Sequence, residues 1–180
     1  RAGAFTGEVS ASQLVALGVR YVIIGHSERR RLGETDDTIA RKIAAVALKT
    51  MTPILCIGES ARERDAGAGE TVVVRQLHEG LHRIKNRATP ILVAYEPIWA
   101  ISTSAQGKAD NPRNAGRMAR GIRHAAARMG FSVKVLYGGS VTGENAEGFL
   151  DHEDIAGALV GGASLQREEI KRIAVVASLA

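Results

Sequence analysis

Glu96 stands where a base for proton transfer would stand. It closes the apolar run Ile91-Leu92-Val93-Ala94-Tyr95 and is followed by Pro97. Burial at such a position penalises the charged form and lifts a carboxyl toward the range where it exchanges protons near neutrality. His26, one residue beyond the run Tyr21-Val22-Ile23-Ile24-Gly25, offers an imidazole to polarise a carbonyl or relay a proton. Two glycine pairs, Gly138-Gly139-Ser140 and Gly161-Gly162-Ala163-Ser164, also follow apolar runs. Without Cβ atoms, main-chain N–H groups approach an anion closely, and a helix N-terminus beyond such a turn favours phosphate. Each feature has a plainer reading: a strand-end His satisfied by its neighbours, glycines that only make tight turns. Together they point to proton transfer on a small phosphorylated substrate. No second His or Cys stands at ligand spacing, so no metal is expected. Gly138-Gly139-Ser140 is not continued by Gly-Lys-Ser or Gly-Lys-Thr, so it is not a nucleotide-binding P-loop.

These residues need elements that bring them to one rim. Five short, nearly continuous apolar runs recur: Tyr21 to Ile24, Ile54 to Ile57, Ile91 to Ala94, Val133 to Tyr137 and Ile155 to Val160. Such runs read as strands of a parallel sheet covered on both faces. Amphipathic stretches separate them. Asp37 to Lys49 gathers Ile39, Ile43, Val46 and Ala47 on one face, and Thr71 to Lys85 gathers Val73, Leu77, Leu81 and Ile84. A third helix opens at Asn111-Pro112, a cap followed by the residue suited to the first helical position, and stops at Gly130. Shorter helices are predicted at Ser10 to Leu17, after Thr142 and after Gln166. The result is one α/β domain over residues 1–180, with no linker or low-complexity break. In such folds ligands bind at the C-terminal ends of the strands, where all the chemical residues lie.

Composition fits an ordinary globular chain of 180 residues, 45% apolar and 24% charged. No apolar run reaches the roughly 18 residues of a membrane span, and no secretory leader is read at Arg1-Ala2. The net charge of +5 is spread over helices and interleaved with acids, as in the Glu28-Arg29-Arg30-Arg31 cluster. A solvated basic surface is expected, without nucleic acid or membrane as partner. The one cysteine, Cys56, lies in an apolar run and is expected to be a free buried thiol of a cytoplasmic protein.

The blocks GAFTGEVS, GHSERR, CIGE, AYEPIWAI, YGGSV and LVGGASL occur in this order along nearly the whole chain. In them the sequence resembles the triosephosphate isomerases, and GHSERR with AYEPIWAI is highly specific. The resemblance implies a (β/α)8 barrel, here its last five βα units, and a homodimer without cofactor. It implies interconversion of dihydroxyacetone phosphate and D-glyceraldehyde 3-phosphate through an enediol, a step of glycolysis and gluconeogenesis. Carried over by motif, Glu96 is the base, His26 the neutral electrophile and Glu28 a hydrogen-bonding support. Ser102, Ser140, Gly161 and Gly162 hold the phosphate. Pro97, Ile98, Trp99, Ala100 and Ile101 begin the lid, which runs to about Lys108, and Thr6 and Gly7 reach the partner subunit. The family pattern also has three earlier βα units and an Asn-x-Lys segment with no match here, and Gly where this chain has Ser102 and Ser104. Lacking an initiator Met, the chain reads as a fragment or processed product, weakly active or inactive alone. The alternative is a non-catalytic piece that needs those units or a partner chain.

Overall fold

The computed structural model describes residues 3–101 and 110–179. Four parallel strands form a sheet in the order β1-β2-β3-β4: β1 (Tyr21–Ile24), β2 (Thr52–Ile57), β3 (Ile91–Tyr95) and β4 (Val133–Tyr137). The register pairs Ile23 with Ile54, Leu55 with Val93 and Val93 with Val135. All strands therefore end at one rim.

The helices are α1 (Ala11–Ala16), α2 (Ser27–Arg31), α3 (Asp36–Ala47), α4 (Ala61–Asp65), α5 (Gly69–Leu81), α6 (Pro112–Arg128), α7 (Ala146–Leu150) and α8 (Arg167–Ala177). Their starts follow local chemistry. The Ser10 and Ser60 hydroxyls close capping boxes with Gln13 and Glu63. Thr35 caps α3, and the Asn111 side chain accepts the Asn114 N–H ahead of Pro112. Gly130, at φ 82°, ends α6 in a conformation that side chains disfavour. The predicted long helices are all present, shifted by a few residues at their ends. The five-residue helices α2 and α4 carry too short a pattern for periodicity to show them.

One core fills the space between sheet and helices, with Ile39, Ile43, Leu55, Leu77, Leu81, Val93, Ile122 and Phe149 sealed in it. A smaller cluster, Ile54, Cys56 and Ala94, lies apart from that core, packed with Leu92, Leu136 and Leu159. The central strands are thus covered on both faces, as their composition predicts. The outer runs depart from expectation. β1 turns Tyr21 and Ile23 to one face and leaves them 58% and 50% exposed, while Ile24 on the other face is buried, and its outer edge has no neighbour. The fifth run, expected as a strand, is reduced to one bridge between Tyr137 and Ala158. Its hydrogen bonds to β4 are present, Tyr137 N–H to Gly157 O (2.9 Å) and Leu159 N–H to Tyr137 O (2.8 Å). One residue earlier, Ala156 gives its N–H to the Val135 carbonyl at 2.7 Å, and Gly157 between that bond and the bridge has φ 152°.

Candidate functional site

His26 is fixed by its own helix. It is the N-cap of α2, and its Nδ1 accepts the Glu28 N–H at 3.2 Å. With that lone pair engaged, a neutral ring carries its proton on Nε2. Nε2 faces Glu96, 3.4 Å from Oε1. The main chain before His26 is tied down by Arg30. That side chain donates to the Gly25 carbonyl (2.8 Å) and the Cys56 carbonyl (3.3 Å), and pairs with Asp36 at 2.6 Å. Burial raises the Asp36 carboxyl, but bonds to Arg30 and Arg75 outweigh it and hold the group below its usual range. Sequence reasoning left Arg30 on the surface with its neighbours; only its contacts reveal the role.

Glu96 extends β3 by one residue, its N–H donating to the Ile57 carbonyl at 2.8 Å. Its side chain is 3% exposed, and Oε2 accepts the Ser27 N–H at 3.2 Å. Oε1 has no hydrogen-bond partner, only the His26 ring beside it. Burial pushes the carboxyl above the ordinary glutamate range, while His26, the Cys56 thiol, the Ser27 N–H and Arg30 hold it back. An unsatisfied carboxylate oxygen at 3% exposure is a strong acceptor waiting for a proton. The Cys56 thiol beside it is pushed well up by burial and by the Glu96 charge.

His26, Glu96, Ser140, Gly161 and Gly162 all line one cleft of about 600 Å³, together with Glu28, Ile101, Gln166 and Glu169. Its size suits a small molecule. Gly161 and Gly162 face open space. Gly162 starts a 3₁₀ turn, Gly162–Leu165, and α8 begins five residues further on. The Ser140 N–H is engaged by the Ala100 carbonyl at 3.0 Å. The helix expected after Thr142 starts at Ala146, behind a turn in which the Asn145 side chain bonds Thr142 N–H and the Ser140 carbonyl. Glu28 contributes its main-chain N–H to His26; its carboxylate is 61% exposed, 4.0 Å from Arg31.

The segment after Glu96 folds back as a 3₁₀ turn, Ile98–Ala100, with Trp99 and Ala100 buried. One residue missed in the sequence anchors it. Glu59, 3% exposed, accepts the Trp99 Nε1–H (2.8 Å) and the Tyr95 hydroxyl (3.1 Å) on a single oxygen. Its place just past the end of β2, one residue beyond the level of Glu96 on β3, was the available signal. Ser102 and the rest of the expected lid to Lys108 lie outside the described residues. Thr6 and Gly7 occupy an exposed turn closed by the Glu8 N–H on the Phe5 carbonyl. A second cleft, about 510 Å³, is lined by Leu150, His152, Glu153 and Gly157 and has no facing acid–imidazole pair or glycine cradle.

Among the described residues no group of three or more His, Cys, Asp or Glu is placed to hold a metal ion. No helix among them is long and apolar enough to cross a membrane. The family profile described as Triosephosphate isomerase matches residues 1–177. The protein named triosephosphate isomerase in Paracidovorax citrulli is 42% identical over 98% of this chain and 71% of its own length. That of Delftia acidovorans is 43% identical over 97% of this chain and 71% of its own. That of a Picosynechococcus species is 46% identical over 95% of this chain and 68% of its own.

Proposed function

The chain belongs to the triosephosphate isomerase family, and we propose that its cleft interconverts dihydroxyacetone phosphate and D-glyceraldehyde 3-phosphate. The observation that carries this is the pair itself. A buried carboxylate with an unpaired oxygen lies 3.4 Å from an imidazole Nε2 whose other nitrogen is already engaged. In the proposed reaction Glu96 takes a proton from C1 of dihydroxyacetone phosphate. The C1–H electron pair becomes the C1=C2 bond, and the carbonyl electrons move to O2, where the His26 Nε2–H donates. Return of the proton from Glu96 to C2, with the O1 proton passing to the His26 Nε2 that gave its own to O2, gives the aldehyde. Neither step changes oxidation state overall, so no redox cofactor enters.

Ser140, Gly161 and Gly162 are proposed to hold the phosphate through main-chain N–H groups, and Glu28 to support the site through the N–H it gives His26. Ser140 would exchange its Ala100 partner for a phosphate oxygen. Pro97 to Ile101 would form the stem of the lid, with Ser102 a further phosphate contact. We also propose a homodimer joined through the Thr6–Gly7 turn and a place in the cytoplasm, where the Cys56 thiol stays reduced. The test is isomerisation of D-glyceraldehyde 3-phosphate, with product formation followed by a coupled dehydrogenase. Activity in the parent that is lost in Glu96→Gln supports the reading; equal activity in both overturns it.

A further inference from the structure

The Trp99 indole sits between two charged groups from the stretch that follows β2. Its Nε1–H donates to Glu59, at the end of β2, and the guanidinium carbon of Arg64 lies 3.6 Å from its ring centroid. Arg64 belongs to α4, a single turn that would fray on its own. The Ser60–Glu63 capping box holds it, with Glu63 accepting both the Ser60 N–H (2.8 Å) and its hydroxyl (2.7 Å). A braced helix turn therefore delivers a flat cation onto a flat ring, the geometry in which the cation meets the negative face of the indole.

What Trp99 holds reaches the cleft within two residues. Ala100 gives its carbonyl to the Ser140 N–H, and Ile101 lines the cleft wall. The charge of Arg64 also reaches Asp110, where the chain is next described. Burial raises the Asp110 carboxyl, bonds to Asn114 and the Asn111 N–H oppose this, and the Arg64 charge adds to that opposition. Asp110 in turn fixes the start of α6, accepting the Asn111 N–H (2.8 Å) and the Asn114 side-chain amide (2.9 Å).

We infer that Arg64 is a positioning residue of the cleft: seated on the Trp99 ring, it clamps the Pro97–Ile101 segment and so sets the Ala100 carbonyl on Ser140. It touches no reacting atom in the proposed isomerisation, and its role in catalysis rests on that reading; its grip on Trp99 does not.

Trp99 is the only tryptophan of the chain, so its fluorescence reads the clamp directly. Acrylamide quenching is measured on the unliganded chain for the parent, Arg64→Ala, Arg64→Lys and Arg62→Ala, the last a neighbouring α4 arginine. The parent constant should be low, since Trp99 is 4% exposed. It should rise at least about threefold in Arg64→Ala, about half as much in Arg64→Lys, which keeps charge without the planar group, and not at all in Arg62→Ala. In an isomerase assay Arg64→Ala should change kcat/KM by about two- to fivefold. A quenching constant unchanged in Arg64→Ala overturns the inference, as does an equal rise in Arg62→Ala, which would reflect loosening of α4 rather than loss of the clamp. If Arg64→Ala does not fold, the graded change in Arg64→Lys decides in the same way. A parent without isomerase activity would sink the proposed function and leave the quenching result standing.

Discussion

Gly138→Ala offers a test of the site in which nothing chemical is removed. A Cβ built on Gly138 falls 2.7 Å from Cγ of Glu96 and 3.3 Å from the Tyr95 carbonyl oxygen, where ordinary contact begins at 3.4 Å. Glu96 must therefore yield by about 0.7 Å, the difference between those two distances. The main chain is poorly able to do so. The Glu96 N–H is held by Ile57 and the Tyr95 carbonyl by the Gly138 N–H, each at 2.8 Å. The side chain moves instead, away from the Ser27 N–H and the His26 Nε2. Misplacing a catalytic group by about 1 Å costs on the order of 100-fold. That is about 2.7 kcal/mol of transition-state stabilisation. The expected outcome is a kcat lowered about 30- to 100-fold with KM changed by less than about threefold, because the proposed phosphate contacts are untouched. The assay is steady-state isomerisation in both directions, with circular dichroism and a melting curve to show that the variant folds. A folded Gly138→Ala protein with kcat within about threefold of the parent would refute the reasoning, since the close approach would then not constrain Glu96.

Glu96→Gln should lower kcat by at least about 100-fold, since an amide cannot take the proton, and steady-state kinetics check it. Because burial raises the Glu96 carboxyl, the acid limb of kcat/KM should lie above the ordinary glutamate value of about 4.3, activity falling as pH drops through it; a pH–rate profile reads this directly. At the α6–α7 contact, burial raises the Asp154 carboxyl, but Arg120 at 2.8 Å and Arg123 at 2.6 Å outweigh it and hold the group low. The stability this adds is present above the unfolded value of about 3.9 and is lost as pH falls through the lower folded value. Urea titrations should therefore separate the parent from Asp154→Asn at pH 7 and bring them together near pH 2 to 3. The open edge of β1, with Tyr21 and Ile23 half exposed, should make the isolated chain self-associate at about ten micromolar and above, and light scattering would show a steady monomer if this is wrong.

The sequence exposed what depends on composition and spacing. Continuous apolar runs located β2, β3 and β4, and Asn111-Pro112 with Gly130 bracketed α6. His26, Glu96 and the glycine pairs were legible because strand ends in such a fold converge, whatever the details of packing. Arg30 and Arg64 were not, because nothing local distinguishes them from solvated charges, and the strand-end place of Glu59 did not show what it holds. Their meaning comes from partners 26 to 40 residues away, such as the Cys56 carbonyl for Arg30 and the Trp99 indole for Glu59. The fifth run failed for a similar reason. Its apolar content is that of a strand, but its pairing with β4 comes down to a single bridge, which composition does not reveal.

Cys56 has a use that its burial creates. It is the only cysteine, 0% exposed, with its thiol pressed against Glu96. A thiol pushed well above its usual range reacts slowly even when reached, and here an alkylating reagent has no path to it while the strands are closed. Labelling must wait for a local opening, and the opening that admits the reagent also wets the carboxylate beside it. The rate of alkylation in dilute reagent is therefore a clock for how often water enters this part of the protein, read at one atom without any added probe.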